Sequence, residues 1–284
     1  MSALPPCPFP LPDELAGSLP AALVRGEVVP VLGPAVLAGV THATENRKIP
    51  AESTELILAL NNGQPMAKRL MEEFPRAAMH VELKRGRKAL QAFLERTYGD
   101  PGWSEAAFHR WLVDAKVPYI IDLNRDTGLQ KLLASTPHIL VVGCARIAGT
   151  AYRFRIYQHD GAQYQEVDQD AVDASLPILF KPLGTPLPES TWIASDADYV
   201  DYITELMGGF AIPSFLKKRR LGLTYATFGL RLSRDTERMV LADLIWGSAQ
   251  PAGWALIDTP TPRERKFCAR LGLQLPAASQ AEAA

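Results

Sequence analysis

The sequence predicts an α/β fold built on a doubly wound, mostly parallel sheet, with a helical insert after the first strand. Three observations carry that expectation. The run "VVPVL" at residues 28–32 is followed at once by Gly33 and a turn into helix-like sequence; a continuous β-branched run of that length suits a strand covered on both faces. From about residue 43 to 117 the apolar residues recur at three- and four-residue spacings, which is the helical period. From residue 212 onward helix-like and strand-like segments alternate in order, the pattern of a parallel sheet with helices on both faces.

The elements follow in chain order. Residues 1–12 hold five prolines, which remove backbone donors and favour polyproline geometry, so they read as a tethered or extended N-terminal arm. Asp13 is placed to cap a helix over "ELAGSLPAALVRG", which Pro20 divides. In the insert, "AESTELILALNNG" closes on Gly63 as a C-cap, and "PMAKRLMEEF" offers Pro65 at a first helical position. "RKALQAFLERTYG" and "SEAAFHRWLVDA" complete it. Strands return at "VPYIIDL" and "HILVVG", and Asp160-Gly161 between two alternating segments predicts a hairpin. "LPILFKPLG" is a further buried strand. "SDADYVDYITELMGG" is a helix with Ser195 three residues before Asp198, a variant of the capping box. Then come helix "IPSFLKKRR", strand "LTYATFGL", helix "DTERMVLADLIWG", strand "GWALID" and helix "TPRERKFCARLG"; residues 276–284 read as a flexible tail.

Composition narrows the function classes. With 30 basic and 31 acidic residues the net charge is −1, which gives no electrostatic reason to expect nucleic acid or anionic lipid as a partner. No apolar run approaches the roughly 20 residues of a membrane span. The N-terminus has neither the basic start nor the apolar stretch of a signal peptide. Cys7, Cys144 and Cys268 form no CxxC pair and cannot make a four-cysteine zinc site. The expectation is a cytoplasmic, reduced protein without zinc.

In a doubly wound sheet, ligands bind beyond the carboxyl ends of the strands. Four segments stand there: "GPAVL" at 33–37, "DLNRD" at 122–126, "KPLG" at 181–184 and "GLRLSRD" at 229–235. Their order and spacing over residues 13–275 resemble the bacterial SIR2-like, sirtuin-related domain family. That family has G-A-G-x-S, T-T-N-Y-D and K-L-H-G loops and a late F-x-G-x-S-x-x-D. The resemblance implies a Rossmann-like fold and an NAD or ADP-ribose ligand. It implies Gly33, Asn124, Asp126, Gly184, Gly229 and Ser233 as ligand-binding positions. If the chain is active, it also implies Asn124 and Asp126 as the catalytic pair.

The departures point the other way. Only Gly33 remains of the first loop's glycines; Pro34 has no N–H, Ala35 replaces glycine and Leu37 replaces serine. The family's histidine, its general base, is Leu183 here, and leucine can neither accept nor relay a proton. Of the five histidines, His42 stands nearest the first loop, while His80 and His109 belong to the insert and His138 and His159 to the strand region. Asn124 and Asp126 read equally as the start of a helix. Arg125, in place of the family's aromatic, reads as the partner of a nearby acid in preference to a phosphate ligand. Ser233 and Asp235 read as caps of the following helix. Residues 217–220, "KKRR", read as a solvated helix end in preference to a docking patch for an acidic partner.

The function expected from these residues is a catalytically degenerate SIR2-like module. It would act by binding or assembly, with a protein partner or further copies of itself, and would require no cofactor. The alternative is an NAD⁺ hydrolase, or a sensor of NAD or ADP-ribose, in an antiphage system.

Overall fold

The computed structural model describes residues 5–147 and 151–276. Its strands are β1 (Val28–Leu32), β2 (Tyr119–Asp122), β3 (His138–Gly143), β4 (Phe154–His159), β5 (Tyr164–Glu166), β6 (Ile178–Lys181), β7 (Gly184–Thr185), β8 (Thr191–Trp192), β9 (Thr224–Phe228), β10 (Gly253–Ala255) and β11 (Leu273–Gln274). Nine of them form one sheet in the order β11-β10-β9-β1-β2-β6-β3-β4-β5, and β7 with β8 makes a separate two-stranded ribbon. Every neighbour pair from β11 to β3 is parallel; only β4 runs against its neighbours. The protein is a mixed α/β structure with a large, mostly parallel central sheet.

All five β1 residues are buried, and the two-residue period of a strand divides them between two cores. Val28 and Leu32 face the cluster that holds the helices Ser53–Leu60, Phe74–Arg85, Arg87–Tyr98 and Ala107–Asp114. Val29 and Val31 face the other cluster, with Tyr202, Leu216 and Leu241 from the helices Asp196–Met207, Ser214–Arg219 and Asp235–Leu244. A sheet covered on both faces needs strands apolar on both faces, which is why "VVPVL" does not alternate.

The chain enters β2 on one side of β1 and later returns to β9 on the other. That divergence opens a crevice at the carboxyl end of β1, the place where such sheets hold ligands.

Several local expectations are met. The hairpin turns at residues 160–161 between β4 and β5. Ser195 accepts from the N–H of Asp198 (3.4 Å) in a capping box. The helix sequence after Ser18 is indeed separate from Asp13–Ala16.

Other elements differ. Asp13 begins its helix but caps nothing. The helix Ser53–Leu60 is capped by Asn61, not Gly63. "PMAKRLMEEF" yields only the 3-10 turn Lys68–Leu70, and the α-helix starts at Phe74 with Pro75 in its first turn. Pro75 is the better starter because Phe74 is buried and its N–H is held by Ser53 Oγ (2.7 Å).

From residue 5 onward the N-terminal arm is tethered to the fold: Pro5 O accepts from Trp111 Nε1 (2.9 Å), and the Phe9 ring meets Phe228 edge-on and Phe108 at a tilt. The tail expectation falls, from residue 277 onward, outside the described residues. No helix of the described residues is long and apolar enough to cross a membrane.

Candidate functional site

Gly33 leaves β1 in extended backbone, and Pro34 opens a short 3-10 helix, Pro34–Leu37, instead of an α-helix. The N–H of Gly33 donates to Phe228 O (2.8 Å), that of Ala35 to Gly229 O (3.0 Å) and that of Val36 to Gly33 O (3.3 Å). Pro34 has none to give. The donors that a phosphate loop presents to a pyrophosphate are therefore committed to the β9 loop and to the turn itself.

Two of the glycines expected to bind a cofactor are explained by the same contact. A Cβ on Gly33 would lie 2.5 Å from Gly229 O, and one on Gly229, whose φ is +62°, would lie 2.7 Å from Val36 N. They are small because two loops touch. Gly184 is buried in the β7–β8 ribbon, where a Cβ would meet Thr191 O at 2.1 Å.

The loop after β2 is organised by a buried ion pair that the sequence did not reveal. Lys181, at the end of β6, lies 2.5 Å from Asp122 Oδ2, and both side chains are essentially inaccessible. Asp122 Oδ1 accepts from the Asn124 backbone N–H (3.0 Å) and from its Nδ2 (2.9 Å). Asn124 Nδ2 also donates to Gly33 O (3.1 Å). The chain Lys181–Asp122–Asn124–Gly33 thus stitches β6, β2 and β1 together at their carboxyl ends. Both Asp122 oxygens thus have partners, which offsets part of the cost of burying the pair.

Beside this network lies a cavity of about 90 Å³, lined by Asn124, Arg125, Leu183, Tyr199, Glu52 and Glu237 among others. Arg125 does not take the acidic partner expected of it. Its Nε and Nη2 donate to Ile193 O (3.1 and 2.5 Å), and Nη2 also donates to Tyr199 Oη (3.3 Å). Among the described residues no carboxylate forms an ion pair with it, although the side chain is only 7% exposed. Leu183 stands in the cavity wall.

At the same cavity, burial pushes the Glu237 carboxyl up to about 7; the Glu52 and Glu73 carboxylates add to the rise and Arg234 opposes it. Burial and the Glu55 carboxylate also raise Glu52, against Arg234 and Arg231. Sequence reasoning missed Glu52 and Glu237. Glu237 lies in the first turn of its helix, where carboxylates are common for capping, and its Oε2 does accept from the Arg234 N–H (3.2 Å). Nothing in the letters separates that role from a place in a cavity wall.

Asn124 therefore reaches the cavity, and the other expected residues do not. Asp126 is buried, its Oδ2 accepts from Gly128 N (2.7 Å), and its Oδ1 has no partner among the described residues. That bond shapes the start of the helix Gly128–Leu132. Ser233 is exposed and caps nothing; the cap position of the next helix is Arg234. Asp235 pairs instead with Arg238 within the helix.

No histidine lines the cavity. His42 is held by Asp100 (3.1 Å) against the Trp103 ring. His138 stacks on His159 near the opposite sheet edge, where burial lowers it to about 4. His109 is fully buried with both ring nitrogens unpartnered among the described residues. A Cβ on Gly128 would lie 3.0 Å from His109 Nδ1 and 2.7 Å from Asp126 Oδ2, so the two side chains meet around that glycine.

A second cavity, about 280 Å³, is walled by the arm residues Phe9 and Leu11 with Ala35, Gly229 and Asp258; Glu52 and Leu230 border both. The first loop has no free N–H to offer a pyrophosphate at residues 33–36. Among the described residues no group of three His, Cys, Asp or Glu side chains is placed to hold a metal ion. No protein-family model matches the chain, and no curated protein matches it.

Proposed function

We propose that this chain is a SIR2-like protein of Rossmann-like topology whose dinucleotide site is degenerate. It works in the cytoplasm as a non-catalytic binding or assembly module of a bacterial complex. The observation that carries this reading is the commitment of the Gly33, Ala35 and Val36 N–H groups to backbone acceptors. Leu183 at the cavity wall supports it, since its own side chain can relay no proton. The Rossmann-like part is supported by the order β6-β2-β1-β9-β10-β11 within the sheet, which matches the order of that fold if β3, β4 and β5 are an addition. Val200 and Met207, 68% exposed on one helix, with Phe210 beyond them, supply apolar surface for a partner.

The alternative, an NAD⁺ hydrolase or a sensor of NAD or ADP-ribose, is favoured by the two cavities that adjoin at Glu52 and Leu230. The Glu237 carboxyl, near 7, is suited to acid–base work.

Proton NMR of NAD⁺ with stoichiometric protein separates the readings. The expected result is sharp, unchanged NAD⁺ resonances over hours. Free nicotinamide that disappears in Asn124→Ala would overturn the proposal in favour of an enzyme, and broadened lines without product would establish a sensor.

A further inference from the structure

We propose that the cavity beside Arg125 is a binding site for a compact oxyanion carrying an O–H group, of which inorganic phosphate is the simplest. The proposal goes beyond the assembly role and does not depend on it. Its first support is a charge without a counter-charge. A buried guanidinium is costly unless it is paired, and Arg125 is buried with a carbonyl and a phenol as its hydrogen-bond acceptors and the Phe74 ring 5.8 Å from its Cζ. The two acceptors orient the planar fork but do not neutralise it. Lys181, the other buried cation at this sheet end, has its carboxylate. Arg125 does not.

The second support is the direction of the unused groups. Arg125 Nη1 has no acceptor among the described residues, and the side chain lines the cavity. Tyr199 Oη accepts from Arg125 and so has its own proton to donate; it lines the same cavity. Two donors from adjacent side chains match the oxygens of an oxyanion, for which a guanidinium is the preferred partner. Asn124 spends its Nδ2 on Asp122 and Gly33, which leaves Oδ1 as a free acceptor, among the described residues, on a side chain that lines the cavity. An oxyanion that also bears an O–H satisfies that oxygen; a carboxylate does not.

Size agrees. About 90 Å³ holds several water molecules and suits a phosphate rather than a nucleotide. Glu52 and Glu237 line the cavity too, and burial holds both carboxyls toward their neutral forms. Arg234 adds a second cation to the lining.

Isothermal titration of the full chain with inorganic phosphate, at about pH 6 where Glu237 is mostly protonated, tests the site. The expected result is saturable binding. It should weaken at least about tenfold in Arg125→Gln, the loss expected from one charged hydrogen-bond partner. Because Arg125 is buried, its removal also threatens folding, so a second variant is needed. Thr236→Trp places bulk in the cavity lining from a half-exposed position. It should abolish binding while leaving the unfolding temperature in phosphate-free buffer unchanged. Acetate, which lacks the O–H when ionised, should bind at least about tenfold more weakly than phosphate. No binding by the unmutated chain at about 10 mM phosphate would overturn the proposal. Unaltered affinity in folded Arg125→Gln or in Thr236→Trp would do the same, and equal affinity for acetate would remove the role given to Asn124.

Discussion

The loops after β1 and β2 leave neighbouring parallel strands at the same end of one sheet, yet they dispose of their polar groups in opposite ways. After β1, the N–H groups of Gly33, Ala35 and Val36 all find backbone acceptors, and Gly229 closes against them. After β2, Asp122 and Asn124 are bonded into the sheet, but Arg125 is buried beside a cavity and forms no ion pair among the described residues. The first loop is a finished piece of protein. The second is unfinished, and its open valence is that of a ligand site. Two loops at one end of a sheet need not close alike: the loop after β1 is closed by its own backbone bonds, and the loop one strand away is not.

The largest expected effect breaks the support of the second loop. Lys181→Met removes one partner of the buried pair and strands the Asp122 carboxylate, which should cost about 3–5 kcal/mol in urea unfolding. The double replacement of Lys181 and Asp122 by apolar residues should recover most of that loss. A single-variant cost below about 1 kcal/mol would mean that the pair contributes no more than a surface bridge.

Next in size is the pH dependence carried by Glu237. Its carboxyl rises from 4.5 in the unfolded chain to about 7 in the fold. The folded state therefore binds more protons than the unfolded one between those values, and stability falls as pH rises through that window. At 1.36 kcal/mol per pKa unit the loss reaches at most about 3 kcal/mol, less the part that solvent screens at the 27% of the side chain left exposed. Glu237→Gln should be more stable than the parent at pH above 7 and match it below 4.5. A parallel pair of stability-versus-pH curves would contradict the assignment.

The smallest effect sharpens the account of the first loop. Ala35→Gly removes the β-carbon from this loop and should destabilise by only about 0.5–1 kcal/mol, the entropic cost of glycine. It should restore no NAD⁺ binding, because the Ala35 N–H is already bonded to Gly229 O. Recovered binding would show that the β-carbon, and not the bonded donor, closes the loop.

How much of this was legible depends on the length scale of each interaction. The central strands were readable because a strand buried on both faces leaves a continuous apolar run, as at residues 28–32 and 138–143. The Ser195 cap and the hairpin turn were readable because their partners lie within a few residues. β7, β8 and β11 were missed; two residues leave no period to detect. The helix assigned to Pro65 failed because a start signal says nothing about whether the following turn can be buried. The basic run 217–220 was read as solvated, yet Lys217 donates to Gly209 O (2.7 Å), Arg219 lies over the Tyr119 ring and Arg220 donates to Asp243 O (2.7 Å). Of the four, Lys218 is exposed and the other three are half-buried.

By itself the sequence determined the covalent limits of the site. Pro34 has no N–H and Leu183 has no proton to move, whatever the fold around them. It also determined the parallel core, since that depends on runs of adjacent residues. The tertiary structure alone decided that Ala35 donates to Gly229, that Asn124 bonds Gly33 across 91 positions, and that Arg125 finds a carbonyl 68 positions away where an acid was expected. The reason is physical. A hydrogen bond or charge is satisfied by whichever group the packing brings within about 3 Å, and at these separations the packing of the whole sheet, not the local letters, makes that choice.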